Sequence, residues 1–309
     1  MDKSPAGRLV RGTSQDASVR VLAAVTTPCV EEARRRHDLW PTAAAAVGRA
    51  LTAAALMAED LKVPGAVVIR FRGDGPLGGL VAEGRRPERA GDPIEVRGYA
   101  HEPHVDLDLN ARGKLDVGRA VGRGTLYVVR DEFTGEPYTG TAAIVTGEIG
   151  EDLAHYFLQS EQRRTAVALG VLVDPDGSVR AAGGAIVEVL PGAGEETVAR
   201  LEDNIARLGG VSRFVDRGGD ADAIAAAVLG DLGFRRLAER PVVFRCRCSR
   251  ERLAAALVAL GEAELDSMAR EDGGAELRCR FCGAVYRFDV AELEALRADA
   301  RRAGGGREG

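Results

Sequence analysis

The sequence lacks the excess of positive charge that proteins binding nucleic acids or anionic membranes usually carry. Its 309 residues have a formal net charge of −5, which argues against both kinds of partner. The first residues do not have the basic, apolar and small-residue order of a signal peptide. No Ser-His-Asp arrangement or paired-carboxylate motif stands out, so we predict no catalytic residue and expect no enzymatic activity. We expect a cytoplasmic protein.

Long apolar runs are also scarce. The most apolar stretch is TAAAAVGRALTAAALMAED, which starts at Thr42, consists mostly of alanine and contains Arg49. A membrane span needs about 20 predominantly apolar residues with few or no charges. We therefore predict that a helix from Pro41 to about Lys62 is buried in a protein core, and we expect no membrane partner.

Alternating and β-branched residues predict strands on both sides of this helix. Strands are expected in SVRVLAAVT within residues 8–25, twice in 65–84, near 93–100, 125–130 and 141–148, and as a hairpin in 166–191. The hairpin turn is predicted from its Asp-Pro-Asp-Gly sequence, and GEDLAHYFLQSEQ has the spacing of a helix. Residues 1–191 are thus predicted to form an α+β core, a β-sheet with packed helices.

The composition changes after residue 191. EETVARLEDNIARLGG and DADAIAAAVLGDLGF have helical periodicity, but eight glycines fall within residues 192–234. A glycine inside a helix costs about 1 kcal/mol relative to alanine, so these helices are marginal without packing support. We predict a labile, metastable helical linker at 192–240 and a small module at 241–309, whose last residues, RRAGGGREG, are expected to be disordered.

Four of the five cysteines lie in two close pairs in this module. Cys246 and Cys248 occur in FRCRCSRER, and Cys279 and Cys282 occur in LRCRFCGAVYRF. Thiolates are good zinc ligands, and two pairs supply a closed tetrahedral site. A module of about 60 residues has too small a core to fold without such a staple. We predict that these four cysteines bind one Zn²⁺ per chain, with Gly283 permitting a tight turn after the second pair.

Arginines surround both pairs, namely Arg245, Arg247, Arg250, Arg278 and Arg280. Cations stabilise the thiolate, which is the form that oxidants attack. The C-x-C spacing also allows a disulfide within the pair, although a strained one. Alternatively, the arginines only neutralise the negative charge of a four-thiolate site. The residues alone leave a redox switch and a purely structural zinc site both open.

CRCSRER and CRFCGAVYRF resemble the zinc motif of the heat-shock protein 33 family, the redox-regulated holdase chaperones of bacteria. RGDGP, YFLQSEQ and AAGGAIVEVLP also occur in the order and rough spacing of that family. The resemblance therefore covers most of the chain. The sequence departs from the family pattern at Arg247, where a small polar residue is expected, and this difference could change the rate of oxidation without changing the ligands.

The resemblance implies a mechanism. In the reduced protein the zinc-bound module keeps the linker docked on the core. Peroxide or hypochlorite, combined with unfolding stress, converts Cys246–Cys248 and Cys279–Cys282 to disulfides and releases zinc. The module and linker then unfold and expose apolar surface to unfolding client proteins. Binding needs no ATP, the active form is a homodimer, and ATP-driven foldase chaperones later receive the clients.

Two other functions are compatible with a four-cysteine module. A zinc ribbon that binds nucleic acid would have a basic module, whereas residues 241–309 contain 12 arginines and 12 acidic residues. An enzyme built on the α+β core with a structural zinc tail is the third possibility. Neither alternative accounts for the motifs in the core, so we expect a redox-regulated chaperone that does not bind nucleic acid.

Overall fold

A computed structural model describes residues 6–133 and 135–304. The chain divides into two compact units, Met1–Arg245 and Cys246–Gly309. Among the described residues, the first unit contains a ten-stranded sheet with helices packed on it, and the second contains a two-stranded hairpin with three helices. The predicted α+β class is confirmed.

The large sheet is mainly antiparallel. Its strands in chain order are β1 (Gly7–Thr13), β2 (Val19–Val25), β3 (Gly65–Gly73), β4 (Leu80–Arg86), β5 (Ile94–Ala100), β6 (Gly124–Asp131), β7 (Tyr138–Ile144), β8 (Thr165–Val173), β9 (Val179–Val189) and β10 (Arg235–Phe244). Their spatial order is β7-β6-β3-β4-β5-β10-β1-β2-β9-β8. β10 pairs with β5 in parallel, and the other neighbouring strands are antiparallel.

Seven helices of the first unit lie within the described residues. They are α1 (Thr27–His37), α2 (Pro41–Asp60), α3 (Val117–Val121), α4 (Gly150–Glu161), α5 (Glu195–Leu208), α6 (Val211–Asp216) and α7 (Ala221–Leu229). The second unit contains α8 (Arg250–Leu260), α9 (Glu262–Ser267), a π-helical turn (Met268–Asp272), β11 (Ala275–Arg278), β12 (Val285–Phe288) and α10 (Val290–Gly304). The prediction of disorder from residue 301 is wrong for 301–304, which continue α10, and residues 305–309 lie outside the described part.

Helix α2 forms the centre of the first unit. By length and composition it could cross a membrane, but 89% of its apolar window is buried inside the protein. Its alanines let the sheet approach closely, since a Cβ added to Gly84 of β4 would lie 2.0 Å from the carbonyl oxygen of Ala54. The prediction of a buried helix is confirmed.

β10 was not predicted from the sequence. Its sequence, RRLAERPVVF, carries several charges and Pro241, which are unfavourable inside a strand. The strand conformation depends on neighbours that are distant in the sequence, because Val242 pairs with Gly7 on one side and with Ile94 on the other. β10 therefore joins two halves of the sheet in the first unit and ends just before the first cysteine of the C-x-C pair.

An ion pair between buried side chains attaches β10 to α2. Arg240 Nε lies 2.8 Å from Oε2 of Glu59, and these side chains are 10% and 1% exposed. Arg240 also donates from Nη1 to the carbonyl oxygens of Arg89 and Asp92, at 3.2 and 3.3 Å. Because a buried carboxylate without a counter-ion is strongly unfavourable, the position of β10 is coupled to the charge on Glu59.

Helices α5, α6 and α7 cover one face of the sheet. Their apolar residues, among them Leu201, Val211 and Ile224, form a buried cluster with residues of β1, β2 and β9 such as Val10, Val21 and Val187. Along β2, alternate residues belong to this cluster, as expected for one face of a strand. The segment predicted as a linker thus forms helices that depend on the sheet for burial of their apolar side chains.

Replacing Arg240 with alanine is expected to destabilise the first unit by about 3–5 kcal/mol. The buried carboxylate of Glu59 would lose its close partner and keep only Arg11, whose Nη1 lies 3.9 Å from Oε1. Urea unfolding followed by the fluorescence of Trp40, the single tryptophan, measures this change. The control is Arg35→Ala, which removes an exposed ion pair with Glu32 and should cost less than about 1 kcal/mol. Equal effects of the two substitutions would contradict the role given to the buried pair.

Candidate metal centre

The second unit has a very small apolar core. Its buried cluster comprises Leu257, Leu265, Phe288, Leu293 and Ala300. These residues come from α8, α9, β12 and α10, and nine partly buried apolar side chains extend the cluster. So small a core contributes little folding free energy by itself, so further cross-links are required for stability.

Cys279 and Cys282 lie in the loop that connects β11 and β12. The N–H of Cys279 donates to the carbonyl oxygen of Ala284, and the N–H of Gly283 donates to that of Cys279, both at 2.8 Å. Gly283 has a φ of 72°, which favours glycine. The N–H groups of Phe281 and Ala284 donate to the sulfurs of Cys279 and Cys282. This tight turn aims peptide dipoles at the sulfurs, as predicted for Gly283.

Cys246 and Cys248 immediately precede α8. Ser249 is the N-cap of that helix, and its Oγ accepts a hydrogen bond from the N–H of Arg252 at 3.3 Å. The guanidinium group of Arg252 reaches back to the carbonyl oxygen of Arg247, to which it donates at 2.8 Å. The start of α8 therefore stabilises the C-x-C loop in two ways. Ser249 caps the helix directly after the loop, and the side chain of Arg252 donates a hydrogen bond to the loop.

The fold of the second unit brings all four sulfurs together. They lie within 4.8 Å of one another, with 3.6 Å between Cys246 and Cys279 and 3.3 Å between Cys248 and Cys282. Zinc–sulfur bonds of about 2.3 Å would place the sulfurs of a regular tetrahedron about 3.8 Å apart. The observed spacing fits a four-sulfur metal site, and the four cysteines are close enough to bind one ion.

The electrostatic environment of the sulfurs disfavours free thiolates. Burial raises the pKa of the Cys279 and Cys282 thiols, and the neighbouring Cys246 raises it further. The Cys248 sulfur, 3.3 Å from the hydroxyl oxygen of Tyr286, raises the pKa of that hydroxyl to about 12. Four thiolates at this position therefore need a nearby cation, and a bound soft divalent metal supplies one while releasing the thiol protons.

Sequence reasoning missed Tyr286 and Arg252 as neighbours of the C-x-C loop. Tyr286 is on β12, where Leu277 pairs with it across the hairpin. Its position four residues after Cys282 is visible in the sequence, but its approach to Cys248 depends on how α8 packs on the hairpin. Arg252 could have been suspected from its place in the first turn after the predicted N-cap Ser249.

The fifth cysteine belongs to a different environment. Cys29 is in α1, is 1% exposed, and its sulfur donates to the carbonyl oxygen of Val242 at 3.3 Å. Burial raises the pKa of the Cys29 thiol to about 12. This side chain is a packed, protonated thiol of the first unit.

Comparison with known proteins shows the family to which this chain belongs. The Hsp33 protein family matches residues 7–289 of the chain. The 33 kDa chaperonin of Symbiobacterium thermophilum is 50% identical over 286 residues, which are 92% of this chain and 95% of that protein. The chain belongs to the Hsp33 family. The 33 kDa chaperonin of Geobacillus kaustophilus is 44% identical over 295 residues, covering 95% of this chain and 98% of the relative.

A solved structure extends the family assignment to the fold. The crystal structure of the 33 kDa chaperonin of Thermotoga maritima has a TM-score of 0.85, with 35% identity and coverage of 96% of this chain and 99% of that one. The resemblance found in the cysteine and core motifs is thus confirmed over nearly the whole length. The chain is a member of a chaperone family, and such a family acts by binding client proteins.

In the reduced protein treated with a metal chelator, four thiols are expected to react with a small alkylating reagent at pH 8, because the second unit then has no cross-link, unfolds and exposes its sulfurs. Cys29 should react only after denaturation, because its buried thiol has a raised pKa and only the thiolate is nucleophilic. Mass spectrometry of the alkylated protein measures the number and position of the labels. A Cys29→Ser variant should show the same four labels before denaturation and no additional label afterwards.

Proposed function

We propose that this protein is a redox-regulated, ATP-independent holdase chaperone whose switch is the cluster of Cys246, Cys248, Cys279 and Cys282. The observation that carries the proposal is the convergence of the four sulfurs within 4.8 Å in a unit whose own apolar core is very small. A unit built in this way depends on its cross-links for folding. Chemistry that changes the state of the sulfurs therefore changes whether the unit is folded.

Zn²⁺ is the metal proposed for the reduced state, one per chain. The donor set consists of four soft sulfur ligands in two pairs, which suits zinc in a structural site. When bound, the ion supplies the positive charge that stabilises the thiolates and contributes about 10–16 kcal/mol of folding free energy. The hydrogen bonds from Phe281 and Ala284 orient two of the sulfurs toward a common centre.

Oxidation is proposed to form disulfides within the pairs, Cys246–Cys248 and Cys279–Cys282. The sulfur distances of 3.6 and 3.3 Å each join a cysteine of the first pair to a cysteine of the second. This arrangement reflects a centre shared by all four sulfurs. The members of each pair are close in sequence, since one residue separates Cys246 from Cys248 and two separate Cys279 from Cys282. A disulfide within a pair therefore closes a short ring even after the unit unfolds. A disulfide removes two thiolate ligands, and the metal is released once the site is lost.

The client-binding surface is proposed to be the apolar face now covered by α5, α6 and α7. The first unit has an apolar cavity of about 480 Å³ between α5, α4 and strands β8 and β9, lined by residues such as Leu158, Val187 and Ile205. The cavity is open to solvent, and Leu158 in its lining is 60% exposed. On this side α5 makes fewer apolar contacts with the rest of the unit, which weakens its attachment. The helices that cover the sheet are therefore good candidates to detach after the C-terminal unit unfolds.

The remaining elements of the proposal concern partners and location. The active form is proposed to be a homodimer that holds unfolding proteins without ATP and later transfers them to ATP-driven foldase chaperones. The protein is proposed to act in the cytoplasm, where thiols are reduced until oxidative stress occurs. No catalytic step, nucleic acid or membrane is required, since client capture needs only exposed apolar surface.

Peroxide at elevated temperature is expected to release one zinc per chain and to increase the suppression of light scattering by a heat-denatured client. A chromogenic chelator follows the zinc, and light scattering follows the client in the same sample. Peptide mapping of the oxidised protein should give Cys246–Cys248 and Cys279–Cys282. Cross-linked pairs such as Cys246–Cys279 would contradict the proposed pairing, and oxidised, zinc-free protein no better than the reduced form would contradict the function.

Ile224→Ala is expected to give the reduced, zinc-bound protein partial chaperone activity. Ile224 is fully buried in the cluster under α7, and its truncation should weaken the packing of that helix by about 3 kcal/mol. Client light scattering measures the activity, and zinc content verifies that the switch remains closed. The matched control is Leu109→Ala, at a side chain that is 61% exposed, and it should leave the reduced protein inactive.

A further inference from the structure

Exposed arginines without acidic partners flank the second cysteine pair. Arg278 and Arg280 lie on either side of Cys279, and both are exposed. Neither forms an ion pair with a residue in the described part of the chain. Since both are covalent neighbours of a cysteine, their backbones lie about 3.8 Å from that of Cys279. The two residues bonded directly to Cys279 therefore both carry a positive charge.

A third arginine is held at the other pair. The 2.8 Å hydrogen bond from Arg252 Nη1 ends on the carbonyl oxygen of Arg247, the residue between Cys246 and Cys248. Arg252 is exposed and forms no ion pair within the described residues. Arg252, Arg278 and Arg280 together are called the arginine rim. They place positive charge beside both pairs of cysteines.

Five acidic residues of the described second unit form ion pairs: Glu276 with Arg287, Glu292 with Arg250, Asp266 with Arg270 and Arg297, Glu262 with Arg301, and Asp299 with Arg302. Glu251, at the start of α8, is close in sequence to the cysteines and bonds to Ser249. It is the one acidic residue in the two cysteine segments, 244–252 and 277–286, so in sequence the three arginines of the rim outnumber the acidic residues beside the cysteines.

Positive charge beside a reactive group raises the local concentration of anions and their rate of encounter, an effect that salt removes. It also lowers the repulsion that a four-thiolate centre exerts on an approaching anion. A neutral reagent experiences neither effect. The rim is expected to change the relative rates of charged and uncharged reagents at the same sulfurs.

We propose that the arginine rim makes these cysteines selective for anionic electrophiles, specifically disulfides that carry carboxylates. The inference rests on the proposed function, because it names the class of oxidant that the same site favours. A cysteine thiolate attacks one sulfur of the reagent disulfide, forms a mixed disulfide and releases the other half as a thiolate. A second cysteine thiolate then displaces the remaining half. Two protein thiolates are oxidised to one disulfide, and the reagent disulfide is reduced to two thiolates.

The test compares two disulfide reagents on the full-length reduced protein, with and without a chelator. The anionic probe is dithiobis(nitrobenzoate), the neutral probe is dithiodipyridine, and absorbance of the released group gives the rate. In Arg278→Gln/Arg280→Gln the reaction with the anionic probe is expected to slow about fivefold at low salt and to match the wild type at high salt. The rate with the neutral probe should not change.

A second double variant controls for net charge. Arg270→Gln/Arg302→Gln removes the same charge from side chains of the second unit that are 75% and 79% exposed, and its rates should equal those of the wild type. Equal slowing with both probes, or no slowing with the anionic one, would overturn the proposal. These rates are independent of client binding. The rim proposal can therefore be wrong while oxidation still activates the chaperone. Equally, the rim proposal can hold while oxidation does not activate the protein.

Discussion

The physical constraint on which the rest depends is the small apolar core of the C-terminal unit. Five buried residues cannot offset the conformational entropy of ordering the whole unit, so the cross-links decide whether it is folded. The four sulfurs converge on one centre because a hairpin and a helix start hold two short loops facing each other. The folding of the C-terminal unit and its proposed redox chemistry therefore depend on the same four sulfur atoms.

The first unit has the opposite character. Its sheet and the buried helix α2 form an extensive core, in which close contact between alanines and glycines replaces large side chains. The helices α5 to α7 add a second layer that is held by apolar contacts and exposed ion pairs such as Arg180–Asp216, with Arg180 half-exposed. Exposed ion pairs contribute little, so the stability of this layer depends mainly on apolar burial.

In the chain, β10 connects the helical layer of the first unit to the C-terminal unit. It is paired on both sides within the sheet, anchored by Glu59 through Arg240, and followed directly in sequence by Cys246. Its predecessors in the chain are the helices that cover the sheet. The helical layer is therefore bounded by two strands of the sheet, β9 before it and β10 after it. Release of the layer requires only that its helices detach between these fixed ends.

Two opposing electrostatic effects act on the cysteine thiols. Burial and neighbouring sulfurs favour protonated thiols, which resist oxidation, while the exposed arginines favour negative charge nearby. In the proposed reduced state, a bound cation would resolve this conflict, since it would hold the sulfurs as thiolates and shield their charge. Arg247 departs from the family pattern inside the C-x-C loop, and its carbonyl oxygen is the acceptor that holds Arg252.

The sequence by itself determined the fold class, the buried helix, most strands and the four-cysteine cluster, because each has a local signature: periodicity, turn residues or ligand spacing. β10 was not predictable, since its charged, proline-containing sequence becomes a strand only between β1 and β5. The contacts of Tyr286 with Cys248 and of Arg240 with Glu59 were likewise decided by tertiary structure. They join residues far apart in the chain, and only packing brings such groups within a few ångströms.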